Sequence, residues 1–329
     1  MNYLPKITLA QLPTPLHGMP NLARSLEFSG KLYIKRDDLT GLAAGGNKSR
    51  KLEYLMYDVL KQGADTVITT GGLQSNHCTQ TIAACKKLNL ACHVVLSGKE
   101  PETFNGNLLL DLLAGATVHY AEHRSERDGQ MLALAEDLRS RGRKPYVIPL
   151  GGSNALGTVG YVMAMPEAVR QLELMSIDCD RMIVASSSGA TLAGMVLGAK
   201  MTGFKGRITG ISIDRVATGE EAFPPELADL ANRAAALLGL DISLSPDDFE
   251  LEYGYLGEGY AVVGDNERNA VRLLAQTEGL FVGPVYTGRA LGATIDCIRK
   301  GKWKNETLLF WHTGDTAALF DYGEALVTT

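Results

Sequence analysis

A single lysine stands between a glycine-rich segment and the start of an apparent helix. Lys48 follows Gly45, Gly46 and Asn47 and precedes the helical pattern of residues 49–54. An amine at such a junction can approach a carbonyl group, and neighbouring cations or partial removal from water would lower its pKa towards the nucleophilic neutral form. The segment therefore favours Schiff-base chemistry at Lys48 over the solvated surface charge that an isolated lysine usually is.

The same segment is close to a nucleotide-binding loop but breaks its spacing. Residues 41–49 approach the Walker A pattern, which requires glycine, lysine and serine or threonine to be adjacent. Here Asn47 separates Gly46 from Lys48. This argues against a nucleotide triphosphatase.

Composition narrows the class of protein. The 329 residues are 45% hydrophobic and 21% charged, with a net charge of −5 and no basic stripe. A chain of this length favours two lobes with a cleft between them, and its charge argues against nucleic acid or an anionic membrane as partner. The first residues lack the features of a secretory signal, which predicts a cytoplasmic location. We expect a small-molecule partner.

Cysteine and histidine spacing gives no metal signature. Cys78, Cys85 and Cys92 lie seven residues apart rather than in a C-x-x-C pair, and the six histidines are scattered. The sequence predicts reduced, buried cysteines and no metal site.

Short β-branched runs alternate with longer amphipathic runs along most of the chain. The predicted strands are residues 66–70, 91–96, 117–121, 145–149, 181–185, 207–214 and 307–311. The predicted helices are residues 76–88, 107–113, 127–141, 158–175, 190–202, 226–238, 267–278 and 288–300. This alternation is typical of βα units that wind mostly parallel sheets, and it predicts two α/β lobes.

Polar loops follow several predicted strands, at the edge of a parallel sheet where ligands tend to bind. Gln74, Ser75 and Asn76 open a helix whose free N–H groups suit a carboxylate, although one of these residues could simply cap the helix. The residues of a second strand-to-helix turn can surround a phosphate: Ser188, Gly189, Ala190 and Thr191. A dinucleotide is the competing ligand there, but the Gly-x-Gly-x-x-Gly spacing is absent.

Two further loops add hydroxyl, phenol and carboxylate groups. Tyr286 and Thr287 precede a helix, and Thr313 and Asp315 follow the apolar strand 307–311. Tyr286 could also serve only to cover the core. Together with Lys48, the four loops predict one convergent site.

These residues together resemble the fold-type-II pyridoxal-phosphate enzymes, in particular the D-cysteine desulfhydrase and 1-aminocyclopropane-1-carboxylate deaminase family. The matching segments are residues 33–38, 45–48, 74–77, 145–149, 284–288 and 312–314. The resemblance implies an α/β fold like that of the tryptophan synthase β subunit, with two domains of three-layer open twisted sheets. It also implies a large domain of residues 1–50 plus 165–329, a smaller domain of residues 51–164, an active site in the cleft between them, and a homodimer.

The resemblance also implies roles for individual residues. Lys48 would form the Schiff base with pyridoxal phosphate and move the Cα proton, and Asn76 would contact the phenolic oxygen of the cofactor. Ser188, Gly189, Ala190 and Thr191 would bind the phosphate, and Thr287 and Thr313 would contact the cofactor. Gln74, Ser75, Asn76, Tyr260, Tyr286 and Asp315 would contact the substrate, with Ser75 and Tyr286 taking part in catalysis.

The choice of reaction depends on a few departures from the family. Deaminases of the family carry glutamate where Thr287 stands, so the neutral hydroxyl favours a lyase acting on a β-substituted alanine, with D-cysteine first. Relatives generally have glycine at the place of Asp315, and desulfhydrases commonly have Val-Arg at the place of Cys78 and Thr79. These departures keep L-cysteate and 1-aminocyclopropane-1-carboxylate open as substrates. A non-catalytic binder of the cofactor or an amino acid, and a dehydrogenase, are the alternatives of other classes.

Overall fold

The computed structural model describes residues 2–214 and 222–327 and contains two β-sheets flanked by helices. The strands are β1 (Leu16–Gly18), β2 (Lys31–Arg36), β3 (Thr66–Gly72), β4 (Ala91–Ser97), β5 (Thr117–Ala121), β6 (Pro145–Val147), β7 (Arg181–Ser186), β8 (Arg207–Ser212), β9 (Glu250–Glu252) and β10 (Thr307–His312). The helices are α1 (Pro20–Ser25), α2 (Lys48–Lys61), α3 (Asn76–Lys87), α4 (Gly106–Leu113), α5 (Arg127–Ser140), α6 (Ala155–Val162), α7 (Ala164–Leu174), α8 (Ala190–Thr202), α9 (Phe223–Leu238), α10 (Asp265–Glu278), α11 (Arg289–Arg299) and α12 (Gly323–Val327).

The larger sheet has six strands in the order β1-β2-β10-β7-β8-β9, and the smaller has four in the order β5-β4-β3-β6. β1 pairs antiparallel with β2, whereas the other pairs of the larger sheet and all pairs of the smaller sheet are parallel. The predicted α/β class with mostly parallel sheets is confirmed.

Alternation along the strands builds a core on each face of the larger sheet. In β10, Leu309 and Trp311 join a core formed with α6, α8 and α9, whereas Leu308 and Phe310 join one formed with α10 and α11. Successive side chains of a strand point to opposite faces, so a strand buried on both faces is apolar at nearly every position. The smaller sheet is likewise covered by α2, α3 and α4 on one face and by α5 on the other. Both sheets therefore lie between two helical layers, as predicted.

The prediction of a single helix over residues 158–175 is wrong. The chain forms α6 and α7 instead, with the break at Met163. Pro166 explains the break, because its ring would clash with the carbonyl oxygen of Val162, four residues earlier in a continuous helix.

Three strands of the larger sheet have no counterpart among the predicted strands: β1, β2 and β9. β2 is central, yet it contains the fully buried Lys35. The Lys35 amine donates to the Thr14 carbonyl at 2.6 Å, to Glu167 at 2.5 Å and to Gln171 at 2.7 Å. A charged residue in a strand interior obscures the sequence pattern when its partners lie far away in the chain.

The smaller sheet is built from one continuous stretch of chain, β3 to β6, whereas the larger sheet draws on both ends. α6, which the predicted boundary assigns to the smaller domain, packs in the core of the larger sheet through Val159, Tyr161 and Val162. The domain boundaries themselves stay a prediction.

Cys78, Cys85 and Cys92 are buried and free, as the sequence predicted. Within residues 2–214 and 222–327, the helices lack the combined length and apolarity that a membrane crossing requires.

Candidate active site

A cleft lies at the carboxyl ends of strands from both sheets. The predicted site residues that line it are Lys48, Ser75, Asn76, Ser188, Gly189, Thr191, Tyr260, Tyr286 and Thr313. Gln74, Ala190, Thr287 and Asp315 are set back from its wall in the part of the chain that the structure describes. The structure thus brings the four predicted loops to one place.

The loop before Lys48 is fixed from both sides. Thr40 Oγ1 accepts a hydrogen bond from Gly46 N at 2.8 Å and donates to Gly46 O at 2.9 Å. Asn47 donates from its backbone to Thr313 O at 2.9 Å and from its side chain to Thr191 Oγ1 at 3.0 Å. α2 then begins at Lys48, so the amine is held by loops from the larger sheet.

The position of Gly46 requires glycine. Its φ is +134°, and a Cβ there would lie 2.6 Å from Gln80 Nε2 and 3.0 Å from Thr313 O. Only glycine combines this backbone conformation with so close an approach. The glycine-rich segment thus serves the placement of Lys48.

Burial tunes the Lys48 amine. Desolvation lowers the pKa of Lys48 to about 8, against the opposing effect of the Asp315 carboxylate. With that pKa, about one lysine in ten carries a neutral amine at pH 7. Of the two causes that the sequence suggested, neighbouring cations and removal from water, removal from water is the one that lowers the pKa of Lys48.

The polar residues at the start of α3 were interpreted either as ligand-binding groups or as a helix cap, and Ser75 is placed for both. Ser75 caps the helix by accepting a hydrogen bond from Cys78 N at 3.3 Å, and it also lines the cleft. Gln74 is used differently, because its side chain accepts from Asn107 N at 2.7 Å and donates to Asn105 O at 3.2 Å. Gln74 therefore holds the start of α4, and its predicted contact with substrate stays a prediction.

The start of α8 has the features of an anion cradle. Gly189 precedes the helix with φ of +91°, and within the described ranges no side chain caps the first turn. The Ser188 hydroxyl accepts a hydrogen bond from Ser153 at 2.6 Å, and Thr191 also faces the cleft. Backbone N–H groups at a helix start, together with hydroxyls, bind phosphate well.

A buried lysine that sequence reasoning missed stands beside this cradle. Lys51 donates to Gly151 O at 3.2 Å, and Gly151 in turn lies against Ser188, because a Cβ on it would be 2.4 Å from Ser188 Oγ. Burial and the nearby Lys48 hold the pKa of Lys51 well below its usual value. Its helical spacing from Lys48 was a signal that could have identified it.

Two phenols face each other across the cleft wall. The hydroxyls of Tyr260 and Tyr286 share a short hydrogen bond, and the rings meet edge to face with centroids 6.0 Å apart. Burial raises the pKa of Tyr260 to about 12 and raises that of Tyr286 well above its usual value. Both phenols are therefore protonated near neutral pH and can donate a proton or a hydrogen bond.

Hydroxyls and a buried carboxyl group lie behind Thr313. Thr287 Oγ1 lies 3.1 Å from Thr313 Oγ1 and donates to Gly314 O at 3.0 Å. Asp315 is 2% exposed and has a left-handed φ of +77°. Burial raises the pKa of Asp315 well above its usual value, against the opposing effects of Lys48 and the Asn107 amide.

Sequence reasoning gave no role to several other cleft residues, among them Asn47, His77, Arg124, Arg127 and Asp214. Arg124 and Arg127 come shortly after β5, so the rule that singled out other strand-end loops applies to them as well.

Thr79, one of the departures from the family pattern, donates a hydrogen bond to Asp111 at 2.6 Å. Like Asp111, it is absent from the described lining of the cleft. Thr79 stands where desulfhydrases commonly have arginine, so this difference from the family directly changes the surroundings of Asp111.

The fold and the cleft together define an α/β enzyme that presents a reactive amine and an anion cradle between two parallel sheets. The chain belongs to the family of pyridoxal-phosphate dependent enzymes, whose model matches residues 7–314. The predicted family, fold and cofactor are confirmed, and the chain is a pyridoxal-phosphate-dependent lyase.

The similar proteins carry two different names. The chain is 40% identical over 326 residues to a putative 1-aminocyclopropane-1-carboxylate deaminase of Pyrococcus horikoshii, covering 98% of this chain and 96% of the relative. It is 39% identical over 325 residues to a D-cysteine desulfhydrase of Salmonella typhi, covering 97% and 96%. The solved structure of an ACC deaminase homologue superposes with a TM-score of 0.90 at 40% identity, covering 99% of this chain and 96% of the other.

A more distant structure shares the fold alone. A pyridoxal 5'-phosphate-dependent aspartate racemase superposes with a TM-score of 0.66 at 17% identity, covering 92% of this chain and 90% of the other.

The cleft suits both ends of pyridoxal phosphate. Lys48 supplies an amine of lowered pKa for the aldehyde, and the start of α8 supplies N–H groups and hydroxyls for the phosphate. The residues present therefore fit the cofactor.

Proposed function

We propose that this protein removes the β-substituent of a small amino acid, with D-cysteine as its first substrate. The overall reaction converts D-cysteine and water to pyruvate, hydrogen sulfide and ammonia. The Cα–H and Cβ–S bonds break, and water replaces nitrogen at Cα after the unsaturated amino acid is released. The observation that carries the proposal is the Lys48 amine, which shares one cleft with an anion cradle and a pair of protonated phenols.

Residues of the larger sheet would hold the cofactor. Ser188, Gly189, Ala190 and Thr191 would bind the phosphate at the start of α8, and Lys48 would bind the aldehyde carbon. Asn76 would contact the phenolic oxygen, while Thr287 and Thr313 would lie at the ring nitrogen. When bound, pyridoxal phosphate withdraws electrons from Cα of the attached amino acid, which makes the Cα proton removable.

The residues of this chain would orient the substrate and move protons. Ser75 and Asn76, at the start of α3, would bind the substrate carboxylate through side chains and backbone N–H groups. The Lys48 amine, once displaced, would take the proton from Cα. A pKa of about 8 supports this role, because a base works best when its pKa lies near the working pH. Tyr286, with Tyr260, would donate a proton to the departing sulfur.

Neutral groups behind the cofactor support β-elimination over ring opening. Thr287 carries a neutral hydroxyl, which forms hydrogen bonds with the Thr313 hydroxyl and the Gly314 carbonyl. It therefore offers no negative charge that would keep the ring nitrogen protonated. Asp315 is the other acidic candidate, but it is buried behind Thr313 and set back from the described wall of the cleft, and burial raises its pKa above the usual value. Electron withdrawal would then be weaker, which suits prompt loss of a good leaving group.

L-cysteate is the second candidate substrate, and Arg127 favours it. Arg127 lines the cleft together with Ser75 and is 9% exposed. Its Nε donates to the Arg124 carbonyl at 3.1 Å, so the guanidinium is anchored beside the place proposed for substrate. A buried cation there would suit a sulfonate on Cβ.

The first experiment tests the cofactor and its lysine. The purified protein should be yellow, with a visible absorption band that borohydride removes. Lys48→Ala should abolish both the band and all turnover, whereas Lys61→Ala, at the exposed end of the same helix, should change neither. A colourless protein that cannot be reconstituted with pyridoxal phosphate would reject the proposal.

A substrate panel assigns the reaction. Pyruvate release should be fastest from D-cysteine when compared with L-cysteate, β-chloro-D-alanine and 1-aminocyclopropane-1-carboxylate, the last being followed as 2-oxobutyrate. Arg127→Met should reduce L-cysteate turnover far more than D-cysteine turnover if the sulfonate binds there. Spectral change without turnover on any of the four would indicate a non-catalytic binder.

We also propose a homodimer on family resemblance and a cytoplasmic location on the likeness to enzymes that act on small amino acids. Analytical ultracentrifugation of the cofactor-loaded protein tests the dimer, and cell fractionation tests the location.

A further inference from the structure

One arginine connects the two sheets across the mouth of the cleft. Arg124 follows β5 of the smaller sheet, and Asp214 follows β8 of the larger sheet. The Arg124 guanidinium makes two parallel bonds to the Asp214 carboxylate, Nη1 to Oδ1 at 3.0 Å and Nη2 to Oδ2 at 2.6 Å. Such a fork fixes orientation as well as distance. Two loops separated by 90 residues are therefore held together at the site.

The same guanidinium lies on the ring of Tyr260, with its carbon 4.5 Å from the ring centroid. A cation over the face of a phenol attracts the ring and is most effective when it is partly shielded from water. The hydroxyl end of the ring approaches the smaller sheet, because a Cβ on Gly72 would lie 3.4 Å from the Tyr260 hydroxyl. Tyr260 is thus enclosed between Arg124 and the end of β3.

On the side of the larger sheet, Arg289 contacts the backbone of the loop that carries Tyr260. Arg289 is fully buried and donates to Gly259 O at 3.2 Å and to Val262 O at 2.8 Å. These bonds hold the two carbonyl groups on either side of Tyr260, so the segment between them depends also on the contacts that the Tyr260 side chain makes in the cleft. Those contacts are the Arg124 guanidinium and the Tyr286 hydroxyl.

We propose that Arg124 is a positioning residue that holds Tyr260, and through it Tyr286, in place over the reacting substrate. The inference rests on the proposed function, because it names the residue that positions the proposed proton donor. Arg124 itself has no part in the proposed binding of substrate or transfer of protons. Asp214 is the partner that fixes the guanidinium.

Enzyme kinetics test whether Arg124 acts through Tyr260. Arg124→Met should lower kcat/KM for the best substrate of the panel by about ten-fold, the combined effect of a half-exposed cation–π contact and a half-exposed ion pair. Arg124→Lys should recover only part of the loss, because lysine keeps the charge but lacks the planar fork. In a Tyr260→Phe background, which removes the hydroxyl bond to Tyr286, Arg124→Met should cost less than about two-fold.

Hydrogen exchange of the cofactor-loaded protein gives a readout that does not depend on turnover. Arg124→Met and Asp214→Asn should each speed exchange of the backbone amides of residues 255–262. Arg141→Met is the control for loss of an arginine, since Arg141 makes an exposed pair with Asp137 at 2.8 Å at the end of α5, away from the described lining of the cleft. It should leave both exchange and kinetics unchanged.

The outcomes separate this inference from the proposed function. Failure of the wild-type protein to turn over any amino acid rejects the proposed function, and with it the role in proton donation, while exchange still decides whether Arg124 holds the Tyr260 loop. Normal turnover with unchanged exchange in Arg124→Met and Asp214→Asn overturns the inference. An undiminished effect of Arg124→Met in the Tyr260→Phe background also overturns it, because Arg124 would then act by another route.

Discussion

Asp111 is a buried carboxyl group whose ionisation should weaken the fold. It lies on α4, is fully buried, and accepts a hydrogen bond from Thr79 Oγ1 at 2.6 Å. Its second oxygen has no hydrogen-bond partner within residues 2–214 and 222–327. Burial raises the pKa of Asp111 to about 7, against the opposing effect of the Thr79 hydroxyl. The folded protein therefore keeps a proton that the unfolded chain loses at lower pH.

The sign and size of the effect follow from that difference. A raised carboxyl pKa contributes stability that is fully present below the unfolded pKa and is lost as pH rises through the folded pKa. From the ordinary value of 3.8 to about 7, the loss is at most about 4 kcal/mol at about 1.4 kcal/mol per pKa unit. Asp111→Asn stays neutral throughout, so it should match wild type near pH 4 and exceed it by up to about 4 kcal/mol at pH 8.

Urea unfolding, followed by fluorescence of the buried Trp303 and Trp311, measures this difference at a series of pH values. The difference between variant and wild type isolates Asp111, because other titrating groups contribute equally to both. Ala133→Ser, a change between uncharged residues at an exposed position on α5, is the control and should show a flat difference. Parallel pH profiles for wild type and Asp111→Asn would refute the reasoning, as would a variant less stable than wild type at pH 8.

Three further predictions concern the cleft. Asp315→Asn removes a carboxylate that raises the pKa of Lys48. The midpoint for labelling this lysine with an amine reagent in cofactor-free protein should therefore fall below about 8, and an unchanged midpoint would show that the two groups do not interact. Gly46→Ala should lower the free energy of unfolding by about 1–3 kcal/mol from backbone strain, with a further loss from steric overlap. Gly63→Ala, which also has positive φ but open space among the described residues, should cost less in the same urea titration. Ser75→Ala should cost about 1 kcal/mol as a lost helix cap and also raise KM. Asn154→Ala, which removes the cap of α6, should cost a similar amount and leave KM unchanged; equal KM values in both variants would argue against substrate binding by Ser75.

The general position of the site could be predicted because it follows from topology. Loops at the carboxyl ends of parallel strands lie at one edge of a sheet, and this rule groups Ser188 with Thr313 at the larger sheet. Ser75 follows β3 of the smaller sheet, so its approach to them depends on how the two sheets pack. The lowered pKa of Lys48 could likewise be anticipated from its place at a loop-to-helix junction. Composition and spacing alone left the cofactor open, and the family resemblance supplied it.

Pairings between distant residues could not be predicted from local patterns. The Arg124–Asp214 pair joins loops that follow strands of different sheets, and two partners of Lys35, Thr14 and Glu167, are 153 residues apart. Gln74 illustrates the same limit within a recognised motif, since its side chain serves a neighbouring helix. The break before α7 is different, because Pro166 carried that information in the sequence.

The strand order of the larger sheet also constrains how the protein can be assembled during synthesis. β2 is made early, but β10, which joins it to β7, is among the last segments to leave the ribosome. The smaller sheet is complete once residue 147 has emerged, whereas the larger one waits for residue 312. A ribosome stalled shortly before β10 would therefore carry a finished smaller sheet and an open edge on β2, which makes that nascent chain a natural client for chaperones that shield unpaired strands.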